Sequence, residues 1–299
     1  MQFQTNSAAA DAQMSPVIIL GAARSGTKFL RSILSALPGH HAIPFDANHV
    51  WRIGNAGAPD DVLDPGGVSD RTAATIRRAL SRLAVPGGMP EGGVLVEKTV
   101  SNSLRPWFVE RVLPGARYIL LIRDGRDAVE STYRMWLEPP DAGGLKKKLA
   151  SLPIQAFPYA AWYGLNMVVG KLRGRGVGVW GVRYRGITED LEKLTVPEVC
   201  AHQWRECVET SLRFASEVDP SRLIQVRYED LVTDPGALDP LAEFLGVGGD
   251  GRDSLRNALK RTIRAPGRSR WMETFDATAR DKVNSVISPM RAMLGYSSE

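Results

Sequence analysis

The run Gly21-Ala22-Ala23-Arg24-Ser25-Gly26-Thr27-Lys28 concentrates groups that could do chemistry. It follows the apolar stretch Pro16 to Leu20 and leads into Lys28 to Leu37, where Phe29, Leu30, Ile33, Leu34 and Leu37 recur at helical spacing. A loop between strand and helix turns backbone N–H groups and the positive end of the helix dipole toward one point, which attracts an anion. Small residues let the backbone approach, Arg24 and Lys28 add charge, and Ser25 and Thr27 add hydroxyl donors. This is a phosphate or sulfate cradle. Its order nearly matches the nucleotide loop G-x-x-x-x-G-K-[ST], but the last two positions are inverted to Thr27-Lys28, and the ATP-type loop needs the other order to place a hydroxyl on Mg²⁺. Taken alone, the run also fits an ordinary strand-to-helix turn with solvated basic residues.

A second cluster follows another apolar strand, Tyr118 to Ile122. Arg123 ends that strand and Ser131 stands eight residues on, in a helix that begins near Asp127 and runs through Trp136. An Arg and a hydroxyl so placed can both face a phosphate over the carboxyl edge of a sheet, where open α/β folds bind ligands. Lys98, in Val94-Leu95-Val96-Glu97-Lys98-Thr99, ends a third short strand, which carries its ammonium to the same edge; the competing reading is an exposed loop lysine paired with Glu97. The histidines, His40, His41, His49 and His202, show no metal-ligand spacing with Cys or carboxylates, so no metal is expected.

Positioning these groups requires a sheet with its carboxyl ends on one side. Strands at Pro16 to Leu20, Val94 to Val96, Tyr118 to Ile122 and Leu223 to Tyr228 alternate with helices at Lys28 to Leu37, Arg71 to Leu83, Arg105 to Leu113, Val196 to Val218 and Pro235 to Leu245. That alternation predicts an α/β, P-loop-like three-layer fold: a central, mainly parallel sheet flanked by helices. Asn55 to Gly67 and Pro86 to Gly93 read as surface loops, and Val177 to Tyr184 as another extended piece. Residues 1–15 read as a disordered leader and 16–299 as one domain, with a mobile lid or helical insertion over the site around 138–175.

The 299 residues are 43% hydrophobic and 24% charged, the usage of an ordinary globular chain rather than a fibrous or disordered one. The formal charge of +5 suits an anionic small molecule and does not point to nucleic acid. No stretch approaches the roughly 20 apolar residues a membrane span needs. Cys200 and Cys207 are seven apart on a helix, about 10 Å, too far to bridge. Reduced thiols and the polar start point to the cytoplasm. Oligomeric state leaves no trace in the sequence.

Arg24-Ser25-Gly26-Thr27 resembles the 5'-phosphosulfate loop of sulfotransferases that use 3'-phosphoadenosine-5'-phosphosulfate (PAPS), in particular the Golgi and bacterial branch related to the tyrosylprotein and carbohydrate enzymes. Ile119 to Ser131 looks like that family's second motif, in which Arg123 and Ser131 would hold the 3'-phosphate. Val226-Arg227-Tyr228-Glu229-Asp230-Leu231, with Phe244-Leu245-Gly246, is similar to its R-Y-E-D-L strand and following helix, so Tyr228 would contact the adenosine diphosphate portion. Gly267 to Trp271 resembles its late basic loop, which would bring Arg268, Ser269 and Arg270 to the 3'-phosphate.

The resemblance spans about residues 17 to 275 and implies transfer of a sulfuryl group from PAPS to an acceptor hydroxyl or amine, with adenosine 3',5'-bisphosphate (PAP) released. Arg24, Ser25, Gly26, Thr27 and Lys28 would hold the donor, and Lys98 and Lys28 would stabilise the transition state. A sulfuryl group bears one formal charge, so side-chain cations can replace the Mg²⁺ a kinase needs. The base would be Asp46, where the family more often has Glu. His49 is the alternative, although members with a histidine base keep it after a Lys-Thr, where this chain has Val100. The acceptor could be a small molecule, carbohydrate, lipid or peptide. Competing functions are a P-loop kinase using ATP and an inactive nucleotide-binding relative.

Overall fold

The computed structural model describes residues 15–137, 179–263 and 270–297. Five strands, β1 (Ser15–Leu20), β2 (His40–Ala42), β3 (Val94–Glu97), β4 (Arg117–Ile122) and β5 (Leu223–Arg227), form one sheet in the order β2-β3-β1-β4-β5. All four pairings are parallel. The main helices are α1 (Thr27–Leu34), α2 (Asp70–Ala84), α3 (Pro106–Val112), α4 (Gly125–Leu137), α5 (Val196–Glu217), α6 (Asp239–Leu245), α7 (Gly249–Thr262) and α8 (Ala277–Met293).

Side chains on a strand alternate between faces, and here both faces are covered, which is why the central strands read as unbroken apolar runs. Val17 and Ile19 of β1, with Ile119 and Leu121 of β4, pack under α1, α6 and α7. Ile18 and Leu20, with Tyr118, Leu120 and Ile122, face α2, α3, α5 and α8. These two cores make the three expected layers. Strand order reverses at β1, with β3 on one side and β4 on the other, so the crevice for a ligand opens at its carboxyl end, where Gly21 to Gly26 lie.

Several elements differ from expectation. The first helix ends at Leu34 rather than Leu37, because Ala36 and Leu37 donate to Ile33 and Leu34 in tighter, three-residue turns. The expected helix from Pro235 to Leu245 divides into a 3-10 turn, Pro235–Leu238, and α6, whose first turn holds Pro240. Residues 179–184 form no strand, and α7, α8 and the three-residue edge strand β2 lie outside the periodic segments picked out above. The leader up to residue 14 and the segment 138–175 lie outside the described residues. No helix among the described residues is long and apolar enough to cross a membrane. Cys200 and Cys207 are free and buried.

The loop from Asn55 to Gly67 is not wholly at the surface, since Asp61 is 1% exposed. Its Oδ1 accepts from Arg52 Nη1 at 3.1 Å and from Asn48 Nδ2 at 3.1 Å. Its Oδ2 accepts from the Ser101 hydroxyl and the Arg183 N–H, both at 2.9 Å, and Arg105 Nη1 lies 3.8 Å from Oδ1. The Asp61 N–H donates to the Arg183 carbonyl at 2.7 Å, which pins the irregular segment 179–184 to this loop. Burial opposes ionisation of Asp61, but Arg105, the Arg183 N–H, Asn48 and Arg52 outweigh it and hold the carboxyl below its usual range.

Removing the carboxylate leaves two buried guanidinium groups without their shared anion. Asp61→Ala is expected to lose about 3–5 kcal/mol in urea unfolding. Because the folded pKa is depressed, this stabilisation is present above the unfolded value near 3.9 and is lost as pH falls through the folded value. The gap between wild type and Asp61→Asn should therefore close in acid.

Candidate active site

The loop after β1 is shaped by two close approaches. A Cβ on Gly21 would lie 2.7 Å from the Leu121 carbonyl oxygen of β4, so only glycine lets the loop leave the sheet there. Gly26 caps α1 with φ 88°, a left-handed conformation that favours glycine, and the Tyr228 ring fills the space a Cβ would take, 2.3 Å from Cδ2. Between them Arg24 is held at φ 65°, alone among the described non-glycine residues in having positive φ. Ser103 fixes the loop's start, accepting from the Gly21 N–H at 2.8 Å and donating to its carbonyl at 3.1 Å.

Residues from the two distant motifs meet at this loop. Arg24 Nε donates to Ser131 Oγ at 3.0 Å, and Arg123 Nη1 donates to the Arg24 carbonyl at 2.8 Å. The Arg123 guanidinium also lies 4.7 Å from the Tyr228 ring centroid, while Phe29 meets that ring edge to face at 5.8 Å. Ser25 is 1% exposed, and its Oγ is buried without a hydrogen-bond partner. Such a group has a cost unless something accepts from it, and an anionic oxygen in the loop would do so. Thr27 is buried and Lys28 exposed, so the inverted order puts the hydroxyl residue inside and the lysine at the surface.

The turn after Arg123 is braced from the far end of the chain. The Asp124 N–H donates to Glu229 Oε1 at 2.9 Å, and Arg291 of α8 grips the Asp124 carboxylate through Nε at 2.9 Å and Nη2 at 3.1 Å. Tyr296 donates to Glu229 Oε2 at 3.0 Å. The indole of Trp204 packs against Gly125 and donates to the Arg123 carbonyl at 3.3 Å.

Asp46 follows β2 and Lys98 follows β3, and they form an ion pair. Lys98 Nζ lies 2.8 Å from Asp46 Oδ1 and 3.1 Å from Oδ2, and the Val100 N–H donates to Oδ1 at 3.1 Å. Lys98 is thus neither exposed nor paired with Glu97: its side chain is 2% exposed against 30% for Asp46. Burial pushes the Lys98 pKa down, Asp46 pulls it up, and the charges of Arg31 and Lys28 lower it further. Glu97 points elsewhere, accepting from Thr99 Oγ1 at 2.5 Å and Asn102 Nδ2 at 2.9 Å, and burial raises its pKa. Thr99 Oγ1 in turn accepts from the Ala47 N–H at 2.9 Å, which fastens the Asp46 loop to the end of β3.

His49 is 6% exposed, with its ring stacked on Phe45 at 6.2 Å. Arg270 is exposed, and its carbonyl accepts from Glu273 and Thr274 in the short helix Trp271–Thr274; Arg268 and Ser269 lie outside the described residues. Ser103 and Arg291 were not legible as site residues, because they reach the site only through tertiary packing.

Residues 16–163, which hold the loop, Asp46, Lys98, Arg123 and Ser131, match the model of the sulfotransferase family. This first half of the chain is similar to that family. Among solved structures, the sulfotransferase STF9 from Mycobacterium avium is similar with a TM-score of 0.54 and 14% identity, over 98% of this chain and 80% of that one. The sulfotransferase domain from the curacin biosynthetic pathway has a TM-score of 0.50 and 20% identity, over 95% and 98% of the two chains. At such identities the likeness establishes the shared fold. No curated protein sequence matches significantly. The family match ends before β5 and Tyr228, which complete the loop's surroundings from the second half of the chain.

Gly26→Ala forces a Cβ into the Tyr228 ring at a residue with positive φ. It is expected to lower stability by roughly 1–2 kcal/mol in urea unfolding, the strain of that backbone conformation. Unchanged stability would show that the Gly26–Tyr228 contact does not shape the loop.

Proposed function

We propose that the chain transfers a sulfuryl group from PAPS to an acceptor hydroxyl, with an amine as second choice, and releases PAP. What carries this is the junction of Arg24, Ser131 and Arg123, where the anion loop and the second motif meet by hydrogen bonds of 3.0 and 2.8 Å at the carboxyl ends of β1 and β4. A donor with phosphates at both its 5' and 3' ends needs two anion-binding motifs that both lie within reach of one nucleoside. The loop residues Arg24, Ser25, Gly26, Thr27 and Lys28 suit the 5'-phosphosulfate, and the unpartnered Ser25 hydroxyl is a donor waiting for such an oxygen. Arg123 and Ser131 suit the 3'-phosphate, with Tyr228 beside them for the adenosine portion. Arg270 at the late basic loop is a further candidate for that phosphate.

In the transfer, Asp46 takes the proton of the acceptor hydroxyl while that oxygen bonds to sulfur and the bond from sulfur to the donor's phosphate oxygen breaks. Lys98 and Lys28 offset the charge that the departing oxygen gains. Both oxygens of Asp46 rest on Lys98, so the two must separate for this chemistry, the ammonium turning to the leaving oxygen and the carboxylate to the acceptor. The exposure of Asp46 and the burial of His49 favour Asp46 as the base. An ATP-dependent kinase would need its loop hydroxyl where this chain has Lys28.

Asp46→Asn is expected to lower turnover about 10²–10⁴-fold while leaving PAP affinity close to wild type. The assay is transfer of labelled sulfate from PAPS into an extract of the source cells, with calorimetry for PAP. Full turnover in Asp46→Asn would remove Asp46 from the mechanism, and no transfer by wild type together with no PAP binding would remove the function.

A further inference from the structure

Helix α8 ends in a turn that sends the chain back across β5. Gly295 takes φ 74°, its N–H donates to the Ala292 carbonyl at 3.0 Å, and the Tyr296 N–H donates to the Arg291 carbonyl at 3.0 Å. This is the paired hydrogen-bond pattern with which a left-handed glycine closes a helix. The turn lays the Tyr296 ring against the Arg227 guanidinium, 4.8 Å from the ring centroid, and brings the tyrosine hydroxyl to Glu229 Oε2 at 3.0 Å. Arg227 also donates to the Leu294 carbonyl. Within the helix, the buried Arg291 holds both oxygens of Asp124 and donates to the Ser297 carbonyl at 2.8 Å.

Each residue gripped in this way adjoins one assigned above to the nucleotide. Arg227 and Glu229 flank Tyr228, and Asp124 follows Arg123. Glu229 Oε1 closes the frame by accepting from the Asp124 N–H at 2.9 Å. Asp124 Oδ1 also accepts from the Arg126 N–H at 2.8 Å, which caps α4, the helix that carries Ser131. Arg123 Nε is buried without a hydrogen-bond partner among the described residues, a donor that a phosphate oxygen would satisfy. Aiming that donor requires a fixed backbone beneath it, and a two-pronged grip on Asp124 supplies one. We propose that Arg291 and Tyr296 are positioning residues for the 3'-phosphate: they hold Arg123 in register with Tyr228 and Ser131, so that preference for a nucleoside 3',5'-bisphosphate over the 5'-monophosphate depends on α8. This rests on Arg123 and Ser131 as the 3'-phosphate site.

The test is calorimetric titration of the full-length protein with PAP and with adenosine 5'-monophosphate, which differ only in the 3'-phosphate. Arg291→Met should weaken PAP binding about tenfold, the scale of coupling through a packed network, and change the monophosphate by less than about twofold. Arg291→Lys keeps a positive charge beside Asp124 and should recover part of the PAP affinity. Tyr296→Phe keeps the ring against Arg227 and removes one hydrogen bond; it should weaken PAP about threefold and spare the monophosphate, and it decides the matter should the Met variant fold poorly. Equal losses for both nucleotides, as a general loosening of the fold would give, or unchanged PAP affinity overturn the role of α8. A wild type that binds the two nucleotides equally overturns the 3'-phosphate assignment instead, so the two failures are distinguishable.

Discussion

Parallel pairing of β1 with both β3 and β4 is the constraint on which the site depends. It aligns three carboxyl ends, so the loop at Gly21, the Lys98 ammonium and the Arg123 guanidinium emerge at the same edge from segments spread over about a hundred residues. The approach of Gly21 to the Leu121 carbonyl shows how tightly the loop is held against β4. A side chain there would separate the anion loop from Arg123. The apolar alternation that buries both faces of β1 therefore also sets the distance between the two halves of the proposed donor site.

Crowding cations at one edge needs compensation, and the fold supplies it locally. Lys98 rests on Asp46, Arg24 on Ser131, and Arg123 on the Arg24 carbonyl, so each positive group has an oxygen partner that a donor's phosphate could replace or extend. Elsewhere the charges are structural. Asp61 holds Arg52 and Arg105 inside the protein, and Arg291 with Asp124, Glu229 and Tyr296 braces the turn after β4. The distinction follows partner: the structural carboxylates are held by several donors at once, whereas Asp46 is part-exposed on one ammonium and Ser25 has an unused donor.

Much of this was legible in the sequence because it is local. The central strands are continuous apolar runs, and the two basic motifs are short strings at strand ends, so the α/β class and the placing of both motifs at the carboxyl edge of the sheet followed from pattern. The departures are long-range in origin. Nothing near Asp61 signals that a Gly- and Pro-rich loop carries a buried anion, since its partners come from Asn48, Arg52, Ser101, Arg105 and residue 183. Arg291 looks like an ordinary cation near a helix end until Asp124 is brought beneath it. Lys98 was expected at the correct edge, but strand alternation sends Glu97 away from it and leaves Asp46 as its partner.

A calorimetric titration of the full-length chain, with PAP in EDTA and in parallel with ATP and Mg²⁺, tests the central claim most directly. The geometry of the loop and the Arg123–Ser131 site predicts saturable one-to-one binding of PAP and much weaker binding of ATP with Mg²⁺. Tight binding of ATP with Mg²⁺ and no heat with PAP would contradict it.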